Sequence, residues 1–549
     1  MLFKYILFVL VIILCASCQF KSEQADTIIH NGYIYTLNEN NEIHQALAIK
    51  DGRILDVGAE HHILNKYSSK NKIDLQGKPV YPGFTDAHCH FLGLGESLLW
   101  ANLNKTQSYD EIIEALKVYK SRFTHDWILG TGWDQNDWQT QEFPTNKKLN
   151  ELFPDRPVYL SRIDGHAALV NDVALEMAGI TCYTEIEGGE IQKENQACTG
   201  VLVDNAMDLV MQLIPKLSDQ DKILALKLAE KKCITAGLTS LHDAGLHYKD
   251  ILFIDSLHKT NDISIGVYAM FSDIEENYEF VENNSTLKTD ALQATSFKFY
   301  ADGALGSYGA CLVQPYADKK SNGFLLKEYS YFKEKAQWML DKNLQMNTHC
   351  IGDSANKVIL DIYAETLKGS NDLRWRIEHC QVLREEDYKK FRDYNIVPSV
   401  QPLHATSDFP WFLERLGKKR APLAYSNKEL LNQSGLVALG TDFPVESNIP
   451  INTFYAAVFR KNSQGKPVSG VQPENALTRK EALMGMTLWP ALAAFQEKER
   501  GTIDINKLAD LVVLDRDILK VKESYIIDTK VAYTYIRGEE VYKNPEVRN

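Results

Sequence analysis

His88-Cys89-His90 sets two imidazoles one residue apart. On an extended strand alternate side chains share a face, so both rings would point one way and Cys89 the other. That is a chelating pair for a divalent cation, though weak evidence by itself. It gains weight from His349, His379 and Asp442, each of which falls near the end of its own strand-like run. Imidazole nitrogens and carboxylate oxygens suit Zn²⁺, which lowers the pKa of bound water from about 15.7 to about 7 and supplies hydroxide without a serine or cysteine nucleophile. Cys89, Cys350 and Cys380 each adjoin one of these histidines. Alternation sends their thiols to the opposite face, so we read them as small buried apolar residues rather than zinc thiolates.

Lys298, in Phe297-Lys298-Phe299, shares a face with Ser296 and Tyr300. A lysine buried as an unpaired ion costs several kcal/mol. It must be paired with a carboxylate such as Asp302, or be neutral, or be modified. A neutral amine that takes up carbon dioxide becomes a carbamate, an anionic bidentate ligand able to bridge two cations. The residues alone leave these alternatives open.

These side chains are spread from position 88 to position 442, and a repeating strand-then-helix rhythm is what would bring them together. Strand-like runs cover residues 80–90, 238–243, 264–271, 295–302, 344–350, 374–380, 396–401 and 436–442, with amphipathic stretches such as 219–235 and 354–367 between them. Eight such units are the count of a (β/α)8 barrel, an α/β fold whose strand ends converge on one mouth. The gap between the first two strands is too long for one crossover. We expect an inserted subdomain over about residues 91–217, rising on the mouth side. Short strand-like runs separated by Asn-Gly and Asp-Gly turns occupy both ends of the chain. Each end has too few strands to stand alone, so we expect residues 19–81 and 497–549 to pair into one small β-sandwich, with the barrel spanning 82–496.

The first segment reads as an address. Residues 5–16 form an apolar run after Lys4, shorter than the roughly 20 residues that span a bilayer. Leu14-Cys15-Ala16-Ser17-Cys18 resembles the lipobox of bacterial lipoproteins, with Cys15 a departure from the usual leucine. Residues 1–18 are therefore expected to be a signal peptide. The enzyme would be exported and held in the cell envelope, at the periplasm or outer membrane, through a lipidated Cys18; a plain cleaved signal is the alternative. The nine cysteines are scattered and imply no disulfide framework, although a Cys182–Cys198 bridge stays open in an exported protein.

Of the 549 residues 44% are apolar and 24% charged, which excludes disordered, collagen-like and multi-span membrane classes. The 73 acidic residues outnumber the 60 basic ones, a net charge of -13, and no basic tract is interleaved with aromatics, so no nucleic-acid partner is expected.

With these residues in view, the chain resembles the amidohydrolase superfamily, and within it the amidohydrolase 3 branch that includes N-substituted formamide deformylase. The resembling stretches are PGFTDAHCH (82–90), DGHAALVN (164–171), KFYADGALG (298–306), NTHCIGD (347–353), RIEH (376–379), QPLHATSD (401–408) and GTDFPV (440–445). Together they run nearly the whole mature chain. The resemblance implies one or two divalent metals per chain, usually zinc. His88, His90 and Asp442 would hold one, His349 and His379 the other, and an N6-carboxylated Lys298 both. It implies Asp442 as the proton carrier between the attacking water and the leaving nitrogen, and His166 and His404 as candidate donors to the substrate carbonyl, the alternative for each being a loop histidine satisfied by backbone. Trp133, Trp138 and Trp411 could wall an apolar pocket but read better as core packing.

The expected activity is cleavage of a linear N-acyl or N-formyl amine. Alternatives are a cyclic amide hydrolase or deaminase on the same barrel, and a lipid-anchored metal-binding homologue without activity. An intact Asp442 argues against the last, since a metal holder needs no proton carrier.

Overall fold

The computed structural model describes residues 22–122 and 126–547. The signal peptide expected over residues 1–18 lies outside them. Among the described residues no helix is long and apolar enough to cross a membrane.

Eight parallel strands in chain order form the central sheet. They are β1 (Phe84–Cys89), β2 (Leu238–Leu246), β3 (Gly266–Ser272), β4 (Leu292–Tyr300), β5 (Gln345–Cys350), β6 (Arg376–His379), β7 (Val397–Val400) and β8 (Ala438–Leu439). Each pairs with the next, for example Lys298 with Asn347 and His349 with Glu378. The ring closes where the chain leaving β8 bonds to the end of β1: Asp442 N donates to His88 O at 2.7 Å and His90 N to Phe443 O at 2.8 Å. That approach is tight, because a Cβ on Gly440 would lie 2.5 Å from the His88 amide nitrogen. The expected α/β barrel is thus the observed fold.

Two helices fall where the periodicity puts them, Asp219–Thr235 and Asp353–Leu367. The first is capped by Ser218, whose side chain accepts from Asp221 N. The β1 run expected over 80–90 divides at Gly83. Pro79–Pro82 belongs to another sheet, where it pairs antiparallel with Leu511–Leu514. A Cβ at Gly83 would sit 2.2 Å from Thr239 Oγ1, so only glycine passes there.

That other sheet runs Glu539–Lys543, Val531–Ile536, Leu511–Leu514, Pro79–Pro82, Tyr33–Tyr35 and Ile43–His44, and so joins both ends of the chain. A four-stranded sheet of Arg53–Gly58, Ala46–Lys50, Thr27–His30 and Asn71–Asp74 accompanies it. Ile29, Leu47, Val80, Leu511 and Val513 share one core between the two.

Between β1 and β2, residues 101–204 build a separate six-stranded sheet with its own apolar cores. Trp133 and Trp138 are buried in it, and their indole N–H groups donate to Leu160 O and Thr106 O at 2.8 and 3.0 Å. Trp411 packs with Tyr316, Phe412 and Tyr425. Cys182 and Cys198 are joined in a disulfide. Cys89, Cys350 and Cys380 are free and buried in the main apolar core.

Candidate active site

The ends of β1, β4, β5, β6 and the turn after β8 converge on one cluster. His88 Nε2 and His90 Nε2 lie 3.5 and 3.2 Å from Asp442 Oδ1. Among the described residues these three form the one group of histidine, cysteine or carboxylate ligands mutually within 4.8 Å. The His379 ring centroid lies 4.7 Å from that of His88 and 4.5 Å from that of His349, and Lys298 Nζ is 3.4 Å from His88 Nε2. The six side chains expected to hold metal are therefore gathered in one place.

Hydrogen bonds on the far side of the His88 and His379 rings fix their tautomers. A carboxylate can only accept, so His88 Nδ1 donates to Glu378 Oε2 at 2.5 Å and presents a lone pair at Nε2. His379 Nδ1 likewise donates to Gln401 Oε1 at 2.8 Å. Burial holds His88, His349 and His379 well below the usual imidazole range, so they are neutral, as ligands must be. Burial raises Asp442, but the adjoining His90, His88 and His404 outweigh it and hold this carboxyl below the usual carboxylate range, so it is ionised.

The His88 Nε2 lone pair thus faces the Asp442 carboxylate, and among the described residues Asp442 Oδ1 and His349 Nε2 are buried without a hydrogen-bond partner. A cation resolves this. Four ligands about 2.1 Å from a tetrahedral zinc stand about 3.4 Å apart, which matches the 3.2 and 3.5 Å found around Asp442 Oδ1. The donor set fits a divalent metal of that type.

Backbone strain marks the same residues. His379, Cys380 and Asp442 have φ of 72°, 47° and 63°. Such left-handed conformations cost about 1–3 kcal/mol each and persist where a site demands them. At β6 the reason is visible. Arg376 and Glu378 share the inward face, so strict alternation would turn His379 outward; its positive φ swings it back toward the metal cluster.

Lys298 is fully buried. Its polar neighbours are His88 Nε2 at 3.4 Å and the Tyr300 ring, with centroid 4.3 Å from Nζ. The carboxylate partner considered for it, Asp302, is engaged elsewhere: its oxygens accept from Cys311, Ile351 and Gly352 backbone N–H groups at 2.8, 2.9 and 2.8 Å. Asp302 therefore shapes the loop after His349, and burial pushes its carboxyl up to about 7.

His404 and His166 both reach the cluster. Gln381 Nε2 donates to His404 Nδ1 at 3.1 Å, which leaves an Nε2–H that has no hydrogen-bond acceptor among the described residues and stands 3.9 Å from Asp442 Oδ2. The inserted sheet supplies His166, whose ring lies 5.0 Å from that of His349. His166 Nδ1 donates to Asp204 Oδ1 at 2.6 Å, and although burial opposes it, this carboxylate raises the imidazole above its usual range. His90 is the most open of the barrel histidines here, with 30% of its side chain exposed.

Glu378, Arg376, Gln401, Gln381 and Asp204 went unnoticed in the sequence. Glu378 stands inside the quoted RIEH, and the inward pairing of positions 376 and 378 was the available signal.

The amidohydrolase family model matches residues 72–542. The chain is 33% identical to YtcJ of Bacillus subtilis over 525 residues, covering 94% of this chain and 99% of that one. It is 25% identical to N-substituted formamide deformylase of Arthrobacter pascens, covering 94% and 98%. A crystal structure of an uncharacterized metal-dependent hydrolase from Pyrococcus horikoshii superposes with a TM-score of 0.75 at 28% identity, covering 91% of this chain and 99% of the other.

Proposed function

Because this chain belongs to the amidohydrolase family, we propose that it is an exported metal-dependent hydrolase that cleaves the C–N bond of a linear N-acyl or N-formyl amine. The observation that carries this reading is the convergence of His88 Nε2, His90 Nε2 and Asp442 Oδ1, ligand atoms spaced as one cation would hold them. His349, His379 and Lys298 would hold a second ion, with Lys298 as a carbamate, a state supported by its burial without a carboxylate partner among the described residues. A divalent metal bound there, zinc by the donor set, would supply hydroxide near neutral pH and polarise the substrate carbonyl.

The chain's own residues supply the remaining chemistry. Asp442 has two oxygens with two outlooks. Oδ1 faces His88 and His90, whereas Oδ2 lies 3.9 Å from His404 Nε2 and 4.0 Å from His379 Nδ1. Oδ2 is therefore the atom that takes the proton of the attacking water and hands it to the leaving nitrogen. The His404 Nε2–H, 3.9 Å from Asp442 Oδ2, would donate to the carbonyl oxygen as it gains charge, and His166, reaching the cluster from the insertion, would donate beside it. The formamide deformylase relative supports a small formyl or acyl group on nitrogen as the bond cleaved.

Export through a lipidated Cys18 is supported by the lipobox-like sequence and by the Cys182–Cys198 disulfide, a bond that persists in oxidising compartments. A small-molecule amide is the proposed partner, with no nucleic acid, and with membrane contact through the lipid alone. The reading is tested by metal content per chain measured beside hydrolysis of a panel of N-formyl and N-acyl amines. Bound zinc with turnover of one amine series is expected; turnover only of cyclic amides or aminopurines would reassign the substrate, and none at all would favour a non-catalytic homologue.

A further inference from the structure

Directly beneath the cluster, Arg376 and Glu378 are both fully buried. A buried ion pair is a poor source of stability, since apolar residues of similar volume often serve as well or better. Its geometry points to a different use. Arg376 Nε lies 2.7 Å from Glu378 Oε1, and Nη2 donates to Oε2 at 2.9 Å. The same guanidinium donates to Ala87 O at 2.7 Å, to Ser399 Oγ at 2.9 Å and to His242 Nδ1 at 3.0 Å. One arginine thus ties β1, β2, β6 and β7 together and holds the carboxylate in register with the residue before His88.

Glu378 then spends its Oε2 on His88 Nδ1 at 2.5 Å. Two other far-side partners around the barrel histidines are neutral: Gln401 on His379 and Gln381 on His404. Among the described residues, His88 is the barrel histidine of the cluster with a carboxylate at hydrogen-bond distance on its far side, whereas the carboxylate nearest His349, Asp302 Oδ1, stands 3.8 Å from its Nε2. An anionic acceptor behind an imidazole orients the ring, fixes its tautomer and strengthens the opposite nitrogen as a donor.

We propose that Glu378 is a positioning residue that locks His88 with Nε2 toward the cation and makes the His88–His90–Asp442 half the tighter of two metal sites. The inference rests on the metal-centre reading above. Arg376 keeps the carboxylate aligned and compensates its charge, so that the chain tolerates it in the barrel interior.

The test is titration of the chelator-stripped full chain with Zn²⁺ in competition with a chromophoric chelator, with apoprotein melting recorded alongside. Glu378→Gln should weaken the first equivalent about 10–100-fold, while the second equivalent shifts by less than about threefold. Where Glu378→Gln does not fold, Glu378→Asp serves, since it keeps the charge beside Arg376 but draws the carboxylate back from Nδ1; the same loss is expected. An unchanged first equivalent overturns the proposal, as does equal weakening of both equivalents, which is what a merely structural role would give. A wild-type chain that binds no zinc overturns the metal-centre reading itself, and the proposal with it.

Discussion

The terminal β-sandwich and the barrel mouth bury their inward faces in opposite ways. Between the two sheets of the sandwich lie Ile29, Leu47, Val80, Leu511 and Val513, all fully buried or nearly so. At the mouth the same chain buries Asp86, His88, Lys298, Asp302 and Glu378, leaves Asp442 Oδ1, His349 Nε2 and His404 Nε2 without partners, and bends His379 and Asp442 to positive φ. Burying apolar area stabilises a fold at roughly 25 cal/mol per Å². Buried polar groups cost free energy unless something satisfies them. The contrast teaches that the sandwich holds the two chain ends together, whereas the mouth carries a cost that a bound cation and a substrate would offset.

If that division is right, substitutions in the two regions should separate activity from stability. Asp442→Asn is expected to lower turnover of the preferred amide by about 10²–10⁴-fold, the span of general acid–base contributions, while bound metal falls far less. Unchanged hydrolysis would reject Asp442 as the proton carrier. Leu511→Ala, in the sandwich core, should cost about 2–5 kcal/mol in denaturant unfolding and leave kcat/KM per folded molecule within about twofold. An equal loss of activity in the folded variant would erase the distinction between the regions.

The subtlest difference lies in protonation. In the metal-free chain the imidazole resonances of His88, His349 and His379 should stay in their neutral form as pH falls from 8 to about 5.5, because burial holds all three well below the ordinary imidazole range. His166, backed by Asp204, should take its proton with a midpoint above 6.5. Ordinary titration of the first three would show that water enters the cluster.

Much of this site was legible because metal ligation restricts residue type so strongly. His88, His90, His349 and Lys298 follow strand alternation, and their inward direction can be read from neighbouring apolar residues such as Phe297 and Phe299. His379 and Asp442 could be named by type and strand position, but not aimed, because their positive φ breaks the alternation. Glu378 was hidden by the same break: a reading that points position 379 inward turns position 378 away. The split of residues 80–90 at Gly83 escaped notice because one extended run can serve two sheets, and only the Thr239 contact demands the division. Asp204 carries no local signal; cross-strand pairing with the segment after His166 brings it close, since Val203 opposes Ala167.

The central claim is that distant strand ends form one cation cage, and the most direct measurement is anomalous diffraction at the zinc edge from crystals of the zinc-loaded chain. The account predicts a peak about 2.0–2.2 Å from His88 Nε2, His90 Nε2 and Asp442 Oδ1. A chain that yields no peak there, or one bound only by residues elsewhere, would contradict it.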